Sequence, residues 1–168
     1  MIWKLETSCR VKDYLANWNI SAHMWLKNYI FMRMLPNNQR GKGQAAAALT
    51  TFAVSAIWHG FYPGFFCFFI GAGLIDYQAK LAGEALNPIV EGRVPGWLVY
   101  IVSWLWCYIF CGYFVSSFVL LSFEKIHRVY SSMYYSGHIV LLLAIVVPLA
   151  LKPSKPKTKT VSDKGKQD

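Results

Sequence analysis

From Gln44 to Ile75 the chain carries no acidic and no basic residue, and from Trp97 to Phe123 again none. About twenty predominantly apolar residues are enough for a helix to cross a bilayer. Composition agrees. The 168 residues are 55% hydrophobic and 17% aromatic, and only 15% are charged, against about 25% in soluble domains. The charges are also clustered. These features describe an integral membrane protein. The fold class they predict is all-α, a polytopic transmembrane helical bundle.

The first uncharged run is too long for one span, because 44–75 as a single helix reaches about 48 Å, against a hydrocarbon core of about 30 Å. His59-Gly60-Phe61-Tyr62-Pro63-Gly64 interrupts it. Two helices are expected, at 44–59 and 64–80, meeting at a break inside the membrane. Non-helical backbone at that depth needs protein or a cavity around it. Residues 76–96, with Asp76, Lys80, Glu84, Glu91 and Arg93, read as a polar connection. Further spans are expected at 97–123 and 134–151. The Lys-rich segment 152–168 is too polar to bury a core and is expected to be disordered. At the other end, 1–43 reads as an interfacial segment. Residues 14–35 form an amphipathic helix with Trp and Tyr at headgroup depth, and a basic loop follows at Arg40-Gly41-Lys42-Gly43.

The net charge is +9. Lys and Arg gather outside the apolar runs, as expected of cytoplasmic segments under the positive-inside rule. No basic–aromatic binding motif appears, so no nucleic-acid partner is expected. A cytosolic 152–168 places 124–133 on the lumenal side and 76–96, Arg40 and Lys42 on the cytosolic side. His59 then lies at the deep end of the broken pair. Met1-Ile2-Trp3 leads at once into polar residues, so no signal peptide is expected. The chain is expected to be part of a longer polytopic protein. Of the cysteines, Cys107 and Cys111 share a helix face. All four, with Cys9 and Cys67, read as small apolar residues rather than metal ligands.

Inside the apolar runs the readily ionisable group is His59. An ionisable residue in a membrane segment is a functional candidate because burying it is costly. The plainer alternative is a neutral imidazole bonded to a backbone carbonyl in a kinked helix. Gly60 beside it lets another group come close, and a break next to a titratable ring can build a pocket. His138, His23 and His127 lie nearer interfaces or polar stretches.

The run Ser55-Ala56-Ile57-Trp58-His59-Gly60-Phe61-Tyr62-Pro63-Gly64 closely resembles the histidine motif of the membrane-bound O-acyltransferase family. Trp18-Asn19-Ile20, followed by Trp25-Leu26-Lys27 and Arg33, resembles the asparagine motif of its lysophospholipid acyltransferase branch. Ser131-Ser132-Met133-Tyr134-Tyr135, with Gly137-His138-Ile139, resembles the last-helix region of that branch. The resemblance covers nearly the whole chain except 152–168. It implies the C-terminal part of a larger helical enzyme. His23 departs from the pattern, where a small or aliphatic residue is usual. It is either a neutral substitution or a contact for the acceptor's headgroup.

The resemblance implies His59 as general base and Asn19 as its catalytic partner. Imidazole titrates near working pH and suits removal of an alcohol proton. A side-chain amide can donate to the oxyanion of a tetrahedral intermediate. From the residues alone, Asn19 reads first as a helix cap. Trp18, Trp25, Arg33, Trp58, Gly60 and Tyr62 are the implied substrate-binding residues. The implied partners are membrane lipids, a lysophospholipid as acceptor and acyl-CoA as co-substrate, with no metal and no bound cofactor. Lys27, Arg33, Arg40 and Lys42 could attract the donor's phosphates. Ordinary snorkelling at the interface is the alternative for Lys27, Arg40 and Lys42. Lys164 and Lys166 resemble a dilysine retrieval signal, so the expected location is the endoplasmic reticulum membrane, with a cytosolic C-terminus. Two other readings stand beside this one. The acceptor could be a sterol, a diacylglycerol or a peptide, or the chain could be an inactive membrane scaffold.

Overall fold

The computed structural model describes residues 2–35 and 43–151, and among these no strand occurs. The chain is an all-α membrane helical bundle. The basic loop at Arg40 and Lys42 and the segment 152–168 lie outside the described residues.

The broken hairpin is built by two residues that stop and restart a helix. α5 (Gln44–His59) ends where Gly60 takes φ 133° and ψ 165°, a conformation open to glycine. Tyr62 then lies in the extended region, as a residue before proline must. Pro63 opens α6 (Pro63–Val90) at its first turn, where a missing N–H costs nothing.

α6 continues well beyond residue 80. The polar connection expected over 76–96 is helical as far as Val90. The physical reason lies in spacing and propensity. Asp76 and Lys80 pair at i,i+4 with an N–O distance of 2.7 Å, and Ala79, Leu81, Ala82, Glu84, Ala85 and Leu86 are strong helix formers. Pro88 enters only in the last turn, and Gly92 with φ 76° completes the stop. At about 1.5 Å per residue this helix is about 42 Å long, so one end projects beyond the apolar layer.

α7 (Gly96–Leu120) ends three residues earlier than the apolar run, because Leu121 turns to φ 61°. The charged stretch beyond it is not a plain span terminus. It forms α8 (Phe123–Ser132), with Ile126 and Tyr130 buried on one face and an Arg128–Glu124 pair on the other. The chain then bends by 77° into α9 (Ser136–Leu151), through Tyr134 at φ 52° and Tyr135 at φ 49°. α6 and α7 are each long and apolar enough to cross a membrane, and α8 with α9 qualifies only as one bent pair.

The N-terminal part is not one helix over 14–35. α1 (Ile2–Glu6), α2 (Val11–Trp18) and α3 (Ile20–Leu26) are followed by a π-helical stretch, Lys27–Phe31, and a short α4 (Met32–Met34). The break falls at Asn19, whose φ of −139° and ψ of 91° are extended. α1 is tied to α7 by Trp104, whose Nε1–H donates to the Glu6 carbonyl at 2.6 Å. The Tyr100 hydroxyl likewise donates to the Thr7 carbonyl at 3.1 Å. Val11 is buried, and α2 leans on α6.

α6 is the central element. It packs against α5, α7 and α9, and small residues let those neighbours approach. A Cβ on Gly64 would lie 2.1 Å from the Ser117 carbonyl oxygen. Gly71 sits under the Phe114 ring and Gly73 under Phe52. Without a hydrophobic force between helices in lipid, such close contacts carry the association. The core between the helices is Phe68, Phe69, Ala72, Ile75, Phe110, Phe114, Leu141 and Ile145.

Candidate active site

His59 ends α5 and points its ring into a layer of aromatic side chains. Ring centroids lie 4.9 Å away at Phe69, 5.2 Å at Trp58, 5.5 Å at Phe118 and 5.6 Å at Phe65. The Nδ1 atom is 2.8 Å from the Ser55 carbonyl oxygen, one helical turn back. A carbonyl oxygen can only accept, so Nδ1 carries the hydrogen. In the neutral ring this selects the tautomer with the lone pair on Nε2, the form a general base needs. Thus His59 does make the backbone bond of the plainer reading. The bond fixes the ring's orientation and leaves its other nitrogen without a partner among the described residues.

Asn19 shows the same double character. Its side-chain Oδ1 accepts from the Ala22 backbone N–H at 3.0 Å and caps α3. A capping side chain uses its oxygen. The amide nitrogen keeps two donors and has no partner among the described residues. The cap therefore presents the Nδ2 donors in a fixed direction.

One cavity of about 620 Å³ is lined by both residues. Trp18 and Trp58 line it too, together with His23 and Lys27. Residues forty apart in sequence thus line one cavity. On α5 the wall runs through Gln44, Ala48, Thr51, Ser55 and His59, a single helix face. Phe68, Phe69, Val115 and Phe118 line it from α6 and α7. His23 is pushed down from the ordinary imidazole range by burial, with the Lys27 ammonium adding to the effect and Asp13 opposing it.

Four of the expected binding residues do not line this cavity. Trp25 is exposed and stacks on Tyr29 at 5.8 Å. Arg33 is also exposed, with its guanidinium 5.5 Å from the Tyr29 ring centroid. Gly60 forms the helix stop, and Tyr62 caps α6 with its ring against Phe65. These last two shape the corner that presents His59.

Other lining residues were not singled out from the sequence. Asp76 is buried, at 7% exposure, and its carboxylate faces the cavity with Lys80. The signal was present as an i,i+4 pair, but it is visible only once 76–90 is read as helix. Lys12 and Phe118 arrive from distant segments and left no local signal. Among the described residues no three His, Cys, Asp or Glu side chains gather as a metal-sized cluster.

Residues 1–122, which hold both Asn19 and His59, match the model of the family described as MBOAT, membrane-bound O-acyltransferase. Membrane-bound glycerophospholipid O-acyltransferase 1 of Homo sapiens is 31% identical over 182 residues, covering 99% of this chain and 33% of that protein. Lysophospholipid acyltransferase 1 of Arabidopsis thaliana is 32% identical, over 84% of this chain and 31% of its own length. Lysophospholipid acyltransferase of Schizosaccharomyces pombe is 29% identical, over 86% of this chain and 29% of its own length. The chain spans about a third of the length of the curated relatives it matches.

Proposed function

We propose, because this chain belongs to the membrane-bound O-acyltransferase family, that it is the C-terminal catalytic part of a lysophospholipid O-acyltransferase. The parent protein would move a fatty acyl group from acyl-CoA to a lysophospholipid hydroxyl. One observation carries the reading: a histidine with Nδ1 committed to a carbonyl and Nε2 open shares a cavity with a capped asparagine whose amide donors are open.

The chemistry follows from those two side chains. His59 Nε2 takes the proton of the acceptor hydroxyl as its oxygen attacks the thioester carbon. A C–O bond forms, and the carbonyl oxygen becomes an oxyanion. Asn19 Nδ2 donates to that oxyanion, where a preorganised donor is worth most. Collapse breaks the C–S bond. The CoA sulfur leaves with the proton returned by Nε2–H. Aromatic rings of Phe65, Phe69 and Phe118 pack against the imidazole and hold it in place. No metal and no bound cofactor enters this scheme; acyl-CoA is a co-substrate.

The names of the relatives support a lysophospholipid acceptor. The reading puts the protein in the endoplasmic reticulum membrane with the lysine-rich segment cytosolic, on the same side as Arg40 and Lys42. The test uses the full-length parent in microsomes with labelled acyl-CoA. Acceptors are a panel of lysophospholipids, a sterol and diacylglycerol. Diacyl phospholipid is the expected product. Transfer to the sterol or to diacylglycerol alone moves the assignment to another acceptor class, and no transfer at all leaves an inactive scaffold.

A paired substitution separates the two roles of Asn19. Asn19→Ser keeps a good helix cap but removes the amide donors. It is expected to lower kcat by about a hundredfold, in line with loss of an oxyanion donor, while thermal stability stays near wild type. Asn19→Ala should lose both, with about 1 kcal/mol of stability lost through the cap. Wild-type turnover in Asn19→Ser would reduce Asn19 to a cap.

A further inference from the structure

The cavity changes character away from His59. Lys12, Asp76 and Lys80 line it there. The same three line an adjoining cavity of about 370 Å³ with Arg10, Glu84 and Asn87. They form a charged rim shared by the two cavities. Phe69 touches the His59 ring, and Lys80 lies eleven residues further along the same helix. The rim is therefore about 16 Å from the imidazole along the α6 axis.

The charges at the rim are arranged, not scattered. Asp76 is 7% exposed, and its Oδ2 accepts from Lys80 Nζ at 2.7 Å. A buried carboxylate needs such a partner, yet a buried ion pair adds little stability over apolar packing. The specific consequence is positional: it holds one ammonium at the rim with further N–H donors to spare. Arg10 is engaged by Asp13 at 2.7 Å. Lys12 makes no ion pair with any described residue and brings a second ammonium to the same rim.

Resting on the acyltransferase reading, we infer that Lys12 and Lys80, the latter positioned by Asp76, hold a phosphate of the acyl-CoA donor at this rim while its pantetheine arm runs along the larger cavity to His59. Length decides between the two phosphate-bearing substrates. The phosphate of a lysophospholipid is only a few bonds from its own acceptor hydroxyl, so it stays near the imidazole. A pantetheine arm separates the thioester from the pyrophosphate by a span comparable with the distance from His59 to the rim. Lys12 and Lys80 thereby join the cations that the sequence suggested for this part, Lys27, Arg33, Arg40 and Lys42. Of those four, Arg33 lies off the cavity and Lys27 on it; Arg40 and Lys42 lie outside the described residues.

The test uses the full-length parent with Lys12→Gln, Lys80→Gln and Asp76→Asn. CoA, and pantetheine lacking the phosphates, are bound at equilibrium, and KM is measured for acyl-CoA and for lysophospholipid. Each lysine change is expected to weaken CoA binding by about tenfold, the worth of one charge-assisted hydrogen bond. Its salt dependence should flatten, and pantetheine binding should not change. KM should rise for acyl-CoA and not for the lysolipid. Asp76→Asn should weaken CoA binding in the same direction, because Lys80 loses its anchor. Wild-type CoA affinity in both lysine variants, or a rise confined to the lysolipid KM, overturns the inference. The lysines are on an exposed rim, so these variants do not depend on the core to fold. CoA binding is read without turnover. A parent that binds CoA through this rim but transfers nothing would sink the acyltransferase reading and leave the rim standing.

Discussion

His59→Ala is expected to abolish acyl transfer by the full-length parent, lowering kcat by between a hundredfold and ten thousandfold, the range a positioned general base supplies. The protein should still insert and fold. Alanine is a good helix former, and the ring's one hydrogen bond, to the Ser55 carbonyl, lies at a helix terminus where orphan carbonyls are ordinary. The ring packs among Phe65, Phe69 and Phe118, so some local loosening is expected. A His59→Gln variant controls for it. Glutamine retains a polar side chain of similar reach but cannot act as a base, so it should be as inactive as alanine and better packed. The measurement is the initial rate of labelled diacyl lipid formation in microsomes, normalised to correctly inserted protein. Transfer at the wild-type rate in both variants would remove His59 from the mechanism.

The second large effect is structural. Gly64→Ala should break the contact between α6 and α7. The new Cβ would stand 2.1 Å from the Ser117 carbonyl oxygen and 2.8 Å from the Leu121 Cα. Both are backbone atoms, so no side chain can move aside. The helices must separate, and the bond from the Gly64 N–H to the Leu121 carbonyl, now 3.0 Å, goes with them. Overpacking of this kind costs about 1–3 kcal/mol, and this contact belongs at the upper end because main chain is the obstacle. Heating the parent in detergent and following the monodisperse fraction by size-exclusion chromatography gives the stability difference. Activity should fall in parallel, since Phe65 and Phe118 carry the His59 wall on the two separating helices. Gly112→Ala is the control. It meets nothing within 4 Å and sits mid-helix on the exposed side of α7, so its stability should be unchanged or slightly raised. Identical melting of Gly64→Ala and wild type would show that the crossing is looser than drawn.

The residues that sequence motifs can carry were legible before any fold. Trp58-His59-Gly60 and Trp18-Asn19-Ile20 are local strings whose chemistry does not depend on distant neighbours. The helix stop at Gly60 and restart at Pro63 is likewise written in local backbone preferences. Misreadings came where a local rule met a competing one. Charged residues over 76–90 suggested a loop, but charges at i,i+4 extend a helix beyond the membrane as readily as they end it. The aromatic stretch 14–35 suggested one helix, but an asparagine that caps a helix also interrupts one.

What the sequence determined by itself was the class of molecule: uncharged runs that water would not tolerate, helices to satisfy their backbone, and two polar residues in recognisable surroundings. Only the tertiary structure decided which side chains share a cavity. It set Asn19 and His59 in one cavity, left Arg33 and Trp25 out of its lining, and brought Lys12 into the same two cavity linings as Asp76 and Lys80. The reason is physical. Helix formation depends on neighbours within about four residues, whereas a cavity wall is chosen by how closely helices pack. Here that packing turns on contacts such as Gly64 against Ser117 and Gly71 against Phe114, between residues more than forty apart in the chain.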